Sequence, residues 1–443
     1  MKTAIFKTVE VVAYDSGAME PETISKNRTG RGTFLRTVCF ALLVAGIIFG
    51  ESNNKIMAQT IIKNDSIKPY IHFLENNNFL SAKEYVLSKF ETYDIVILSE
   101  RHHADMTQYE VILDVVKDER FKGHIYTEVG VANMSERLNS FLQNSTFTKE
   151  EKERELLSIY RDIDYGFIWE KYTYYHLLSE VYDINKNRKK EDKILIFPTD
   201  VAFDWNDYKT NGEWEIFNKL LNPRQWMNRD LIMGKNFVNF YKTVKNENPE
   251  RKKALVIQNT FHGYTRIPTY LPLPTEPRGY STGEYIYKTY PDKTFNIYIN
   301  YVRSHDEELT NNGIIDAAFE YTKKDNIGFD LKDTPVGNTK FDLYLFGSGY
   351  DTNVNFDYIF GGMIFYKPLK ELILKWWIPD IYPKEFEEHF FNRISIIRNQ
   401  TLEEAMNDKQ NIELLKVINN PVETSLEKEI LVGIDIKIKK WIE

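Results

Sequence analysis

Short apolar, β-branched runs that end abruptly in polar residues recur along this chain, and each is followed by a segment with helical spacing. The first is DIVIL at 94–98, followed by SERHHAD and then by a pattern in which Tyr109, Ile112, Leu113 and Val116 share one helical face. Asp105 with Gln108 predicts a capping-box start for that helix. The same order returns at 124–127, which leads to Glu128 and a helix over 135–142, at 194–197, which leads to Asp200, and at 254–257, which leads to Asn259 and His262. Such alternation predicts an α/β fold with a mainly parallel central sheet flanked by helices. Further strands are expected at 295–301, 341–346 and 358–366. The charged and aromatic stretch 148–187 has room for two helices, an inserted helical cap over the sheet. A Pro-rich stretch at 267–277 predicts a loop beside the strand ends. The tail over 383–443 reads as mostly helical, with a terminal Ile/Lys alternation and no chemistry of its own.

The amino-terminal pattern differs from all of this. Lys26, Arg28, Arg31 and Arg36 precede an apolar run at 37–50, shorter than a membrane span and of the length of a signal-peptide core. Ala58 and Gln59 mark the expected processing point, and Met19 is an alternative start that shortens the long basic region. The expected organisation is a signal peptide or amino-terminal anchor over 1–59, an α/β domain over 60–370 with its cap at about 148–190, and a helical C-terminal extension over 371–443. The leader implies export to the periplasm or cell envelope, with membrane attachment through that segment if it is not cleaved.

Composition narrows the chemistry. At 443 residues and 42% hydrophobic content the chain can bury a large core. A net charge of -8, with no dense basic tract after the leader, argues against nucleic acid as a partner. Cys39, the only cysteine, lies inside the apolar run, so the mature chain would have neither disulfides nor thiolate chemistry, and any metal site must use His and carboxylate. There is no GxSxG elbow, GxxxxGK[ST] loop, HExxH pair or strand-led GxGxxG. Ser348, in GSG, is not on an elbow.

In a parallel sheet, ligands bind beyond the carboxyl ends of the strands, so residues directly after the apolar runs converge on one edge. Those residues are Glu100, Arg101, His102 and His103, then Glu128, Asp200 and His262. A His held by carboxylates can take a proton from water. Each residue also has a plain structural reading: the His pair as a solvated loop, Glu128 as an ion-pair partner of Arg101, His262 as a satisfied half-buried ring. A further helix at 226–241 puts Arg229, Met233 and Asn236 on one face, with Arg229 either bracing a strand end or binding a substrate carbonyl or oxyanion.

The ordered motifs resemble the erythromycin-esterase-like family and its wider relatives, the Tiki metalloproteases and haem-binding iron-uptake lipoproteins. The family's Gly-Glu-x-x-His-Gly is similar to Ser99–Ala104, where Glu100 and His103 match and both glycines are replaced. Glu128 and Asp200 match strand-ending acids, RDLIMGKN at 229–236 the Arg-Asp-x-x-Met helix, and VIQNTFH at 256–262 the Asn/His strand with one extra residue. TGEYIYKTYPDKTFNIYI at 282–299 and FDYIFGGMIFYKP at 356–368 complete the order. The resemblance implies hydrolysis of an ester, lactone or amide in a small-molecule substrate, with His103 as base, Glu100 and Glu128 as its carboxylate partners, and His262 and Arg229 on the substrate. Asn236, Asp200 and His102 are further substrate-binding candidates. Two alternatives stay open: a haem- or divalent-metal-binding protein, and a metal-dependent peptidase, either using Glu100, His103, Glu128 and His262 as ligands.

Overall fold

The computed structural model describes residues 64–163, 165–166, 171–221, 226–267, 281–300, 302–303, 308–341, 343–345, 348–350 and 354–443. The expected leader with Cys39, and the Pro-rich stretch from 268 onward, lie outside these residues. The chain from Ile62 to Glu443 is one compact unit. Among the described residues no helix is long and apolar enough to cross a membrane.

Seven strands make the central sheet. In chain order they are β1 (Ile95–Glu100), β2 (Gly123–Val131), β3 (Ile196–Asp200), β4 (Lys253–Asn259), β5 (Thr294–Ile299), β6 (Ile327–Asp330) and β7 (Gly362–Phe365), and their spatial order is β3-β2-β4-β1-β5-β7-β6. All pairings are parallel except β7 with β6. Burial explains the sequence pattern: β1 is buried at every position, so Ile95–Leu98 reads as a continuous apolar run rather than as an alternation, and β2 is buried throughout as well although it carries His124, Thr127 and Glu128. The fold is the expected α/β class, a mostly parallel sheet with helices on both sides.

The crossover helices follow from local signals. Helix α1 (Ala82–Thr92) starts at Ser81, whose hydroxyl accepts from the Glu84 amide, and α2 (Met106–Lys117) starts at Asp105, whose carboxylate accepts from the Thr107 amide. The expected second half of a capping box at Gln108 is not formed. That side chain turns back into the loop after β1, accepting from the Arg101 amide and donating to the His102 carbonyl. Helix α3 (Ser135–Gln143) follows β2, and the expected cap contains α4 (Lys149–Ile163) and α5 (Tyr172–Lys186). Helix α6 (Trp226–Glu247) buries Met233, Phe237 and Tyr241, and Tyr126 of β2 packs edge-on against Phe237. Helices α7 (Thr282–Thr289) and α8 (Ile314–Thr322) flank β5 in sequence.

Two strand expectations need correction, and one strand was not expected. The 358–366 run divides into a helical turn at Phe356–Ile359 and β7, because Gly361 and Gly362 let this part of the chain approach Phe295 and Tyr85 closely. Among the described residues of the 341–346 run, the strand is Leu343–Leu345, in a separate antiparallel pair. The antiparallel edge strand β6 has no counterpart in the sequence reading. The extension is mostly helical, with α9 (Glu387–Arg398) and α10 (Lys428–Ile442), and the Ile/Lys alternation lies on α10. It also contains a two-stranded antiparallel pair, β8 (Leu374–Trp376) with β9 (Val422–Thr424).

Tyr85 of α1 lies across the edge of the sheet where β6 meets β7, and donates from its hydroxyl to Asp330 at 2.7 Å. A Cβ on Gly362 would stand 1.9 Å from the Tyr85 hydroxyl, and one on Gly328 would stand 2.4 Å from its ring. Gly362→Ala is therefore expected to destabilise the protein by about 1–3 kcal/mol through overpacking. Gly212→Ala, in the first turn of the helix Asn211–Leu221 where a Cβ meets nothing within 4 Å, should not destabilise and can gain up to about 1 kcal/mol. Urea-denaturation midpoints of the two variants check the contrast.

Candidate active site

Glu100 is the last residue of β1, and its carboxylate is buried. One oxygen accepts from the Tyr109 hydroxyl at 2.9 Å, and the other meets Nδ1 of His103 at 2.6 Å. Tyr109 and Gln108 come from the first turn of α2, so a single loop and helix start supply both the histidine and the groups that hold its partner. His103 Nε2 lies 3.9 Å from Oε1 of Glu128. Its carbonyl accepts from the Thr173 hydroxyl at the start of α5.

Glu128 reaches this position because β2 is irregular. The register with β3 runs from Thr127 opposite Pro198 to Val131 opposite Asp200, so β2 spends more residues than its neighbour there, and Gly130 takes a φ of 96°. Such a bulge re-aims a side chain at the end of a strand. Oε1 of Glu128 faces the Arg229 guanidinium at 3.3 Å and His262 Nε2 at 3.2 Å, while Oε2 accepts from the Asn259 amide at 2.8 Å.

Arg229, in the first turn of α6, is clamped by Asp200 through two hydrogen bonds, Nε to Oδ1 at 2.8 Å and Nη2 to Oδ2 at 2.9 Å. Paired geometry of this kind suits the planar guanidinium. Asp200 also accepts from the Tyr165 hydroxyl at 2.6 Å. His262, in the turn after β4, places Nδ1 2.8 Å from Asp230, and Asp230 in turn accepts from the Thr282 amide and hydroxyl at 2.8 Å each.

The structure therefore brings together His103, Glu100, Glu128, His262, Arg229 and Asp200. Two other candidates stand beside the cluster. Asn236 donates to the carbonyls of Thr199 and Asp200, bracing the end of β3 against α6. His102 turns outward, accepting from the Ala104 amide and meeting the Trp376 ring edge-on. Arg101 does not pair with Glu128. It is fully buried on Asp105, Thr107 and the carbonyls of Asn300 and Tyr366, an anchor for the loop. The sequence reading missed Asp230, Tyr165 and Thr282. Asp230 carried a signal, since it directly follows Arg229 and so also lies at the start of α6.

Protonation follows from this geometry. Burial alone would push His262 down, but Asp230 and Glu128 outweigh it and raise the ring to about 9. Burial likewise disfavours the His103 cation, and Glu100 and Glu128 together reverse that, so its value is raised above the ordinary histidine range. Burial would raise Glu128, but His262, His103 and Arg229 hold it well below the usual carboxylate range. These ion pairs also decide whether a metal fits. The carboxylate oxygens are directed at imidazole and guanidinium groups, and among the described residues no three His, Asp or Glu side chains are arranged to hold a metal ion. The donor set as folded does not fit a metal. A separate surface cleft of about 780 Å³, lined by Arg137, Trp205, Glu388 and His389 among others, contains none of the cluster residues.

No protein-family model and no curated protein matches the sequence. Among solved structures, a structural-genomics protein from Bacillus cereus is similar with a TM-score of 0.46 and 13% identity, over 67% of this chain and 96% of that one. A succinoglycan biosynthesis protein is similar with a TM-score of 0.41 and 11% identity, over 67% and 95%. ChaN of Campylobacter jejuni, a structure described for cofacial haem binding, gives 0.28 and 14%, over 50% and 86%.

Two outcomes are expected from these charges. Arg229→Met strands Asp200 and Glu128 in the interior and should cost about 3–5 kcal/mol, as for other broken buried ion pairs, measured by urea denaturation. The stabilisation from His262, whose folded value is raised, is full below its ordinary value of about 6.5 and is lost as pH rises through about 9. Stability should fall between those values in the wild type, and the fall should be reduced in His262→Gln.

Proposed function

We propose that this protein is an exported hydrolase of the erythromycin-esterase type, which cleaves an ester or lactone, or an amide, of a small-molecule substrate with water activated at His103. The observation that carries this reading is the setting of His103. Its side chain is 21% exposed, whereas those of Glu100, Glu128, Asp200, Arg229, Asp230 and His262 are at most 10% exposed. One ring nitrogen is fixed on a buried carboxylate at 2.6 Å, and the other is directed into the cluster. A ring oriented through Nδ1 with Nε2 turned to the reacting side has the geometry of a general base.

In this mechanism neutral His103 takes a proton from water through Nε2 while Glu100 holds the Nδ1–H. The resulting hydroxide adds to the carbonyl carbon. Charge that develops on the carbonyl oxygen is met by the positive potential of Arg229 and protonated His262, both fixed in place before reaction. The C–O bond then breaks, the leaving alkoxide takes the proton from His103, and acid and alcohol depart. Glu128 lies against both cations, Arg229 and His262, and faces Nε2 of His103.

His103→Ala should lower turnover about 100- to 10,000-fold, the usual share of a general base, with circular dichroism unchanged. The profile of kcat/KM should rise on the alkaline side of the ordinary histidine value, as His103 becomes neutral, and fall near pH 9 as His262 loses its proton. A panel of esters and lactones, with elemental analysis and the visible spectrum of the purified chain, checks the reading. Stoichiometric metal or a haem band that disappears in His103→Ala, with no hydrolysis, would replace it with a ligand-binding role.

A further inference from the structure

The first strand of the C-terminal extension lies against the loop that carries the histidine pair. The Met106 amide donates to the Ile373 carbonyl at 2.8 Å, the Lys375 amide donates to the Ala104 carbonyl at 2.7 Å, and Asp105 bridges Leu374 in antiparallel fashion. The loop between β1 and α2 is thus hydrogen-bonded to β8 as one strand edge is to another, and β9 backs β8 from the other side. Beyond it, Trp376 bridges Lys171, which directly precedes α5. The Trp376 ring meets His102 edge-on at 5.3 Å and carries the Lys171 ammonium 4.8 Å from its centroid. Two residues after Lys171, Thr173 donates to the His103 carbonyl. The next residue of the extension, Trp377, is buried and holds a φ of 64°. A bulky residue in that left-handed region is strained and persists only where its surroundings fix it.

We infer that β8 of the C-terminal extension is a positioning element of the active site, holding the loop at Ala104 and Met106 so that His103 stays seated on Glu100, with Trp376 locking the loop through His102 and Lys171. The inference rests on the reading of His103 as the base. The path of this backbone sets where Nε2 stands relative to Glu128, and a displacement of about 1 Å at such a site can cost about 100-fold in rate. The charged groups that act on His103 are Glu100 from β1, Glu128 from β2 and Lys171 from the start of α5. Lys171 opposes protonation of the ring, and its ammonium rests over the Trp376 ring at 4.8 Å and the Trp377 ring at 5.5 Å.

The test uses the full chain with Trp376→Ala, Trp376→Phe and Lys171→Met. Trp376→Ala should keep its circular dichroism, lose about 10-fold or more in kcat on an ester substrate with KM within about twofold, and move the His103 imidazole titration, read by NMR, upward by roughly half a pH unit. Trp376→Phe should restore both, and Lys171→Met should move the titration in the same direction. Wild-type kcat and titration in Trp376→Ala overturn the inference, as does a loss of kcat that only tracks a lower Tm while the titration stays in place. If Trp376→Ala does not fold, an unshifted titration in Lys171→Met overturns it. A wild-type protein that hydrolyses no ester or lactone removes the hydrolase reading alone, because the titration still decides whether β8 positions His103.

Discussion

Four carboxylates, Glu100, Glu128, Asp200 and Asp230, are buried within one cluster, and basic side chains are built in beside them. Arg229 is the key to this balance. Its guanidinium closes on Asp200 through two hydrogen bonds and reaches Glu128 from the same position, joining α6 to the ends of β2 and β3. Desolvating so many charges is expensive, and the cost is offset only where each oxygen finds a donor. The neighbouring donors satisfy that demand: Tyr165 on Asp200, Tyr109 on Glu100, Thr282 on Asp230, and the Asn259 amide on Glu128.

That constraint explains features that look unrelated in the chain. The irregularity in β2 costs sheet hydrogen bonds, yet it presents Glu128 to both His262 and Arg229. The loop after β1 is braced internally by Arg101 and Gln108 and externally by β8, so its short polar sequence keeps one shape. The two histidines differ for the same reason. His262 lies between two acids in the interior and is held as a cation, whereas His103 keeps one edge toward solvent. Environments that divide two like groups in this way assign them different chemical tasks.

Much of the architecture was legible in the sequence because it is encoded locally. Apolar runs of strand length, each closed by a polar residue and followed by helical spacing, placed β1 to β4, with Glu100 and Asp200 as last residues of their strands and His262 in the turn after β4, whereas β2 continues past Glu128 to Val131. Where the reading failed, a long-range contact had overruled a local one. Gln108 could have capped its own helix but instead fills a loop, and the 358–366 run is broken because Gly361 and Gly362 lie under the rings of Phe295 and Tyr85.

Local pattern sets which residue types arrive at the carboxyl edge of the sheet, since side-chain period and turn signals depend only on near neighbours. Tertiary structure alone decided how they pair. Arg101 goes to Asp105 rather than to Glu128, Asp230 rather than a strand-end acid takes Nδ1 of His262, and a strand from the extension closes on the His103 loop. The partner of a buried charge is fixed by which distant segment the packing brings within about 3 Å, and no period along the chain records that distance.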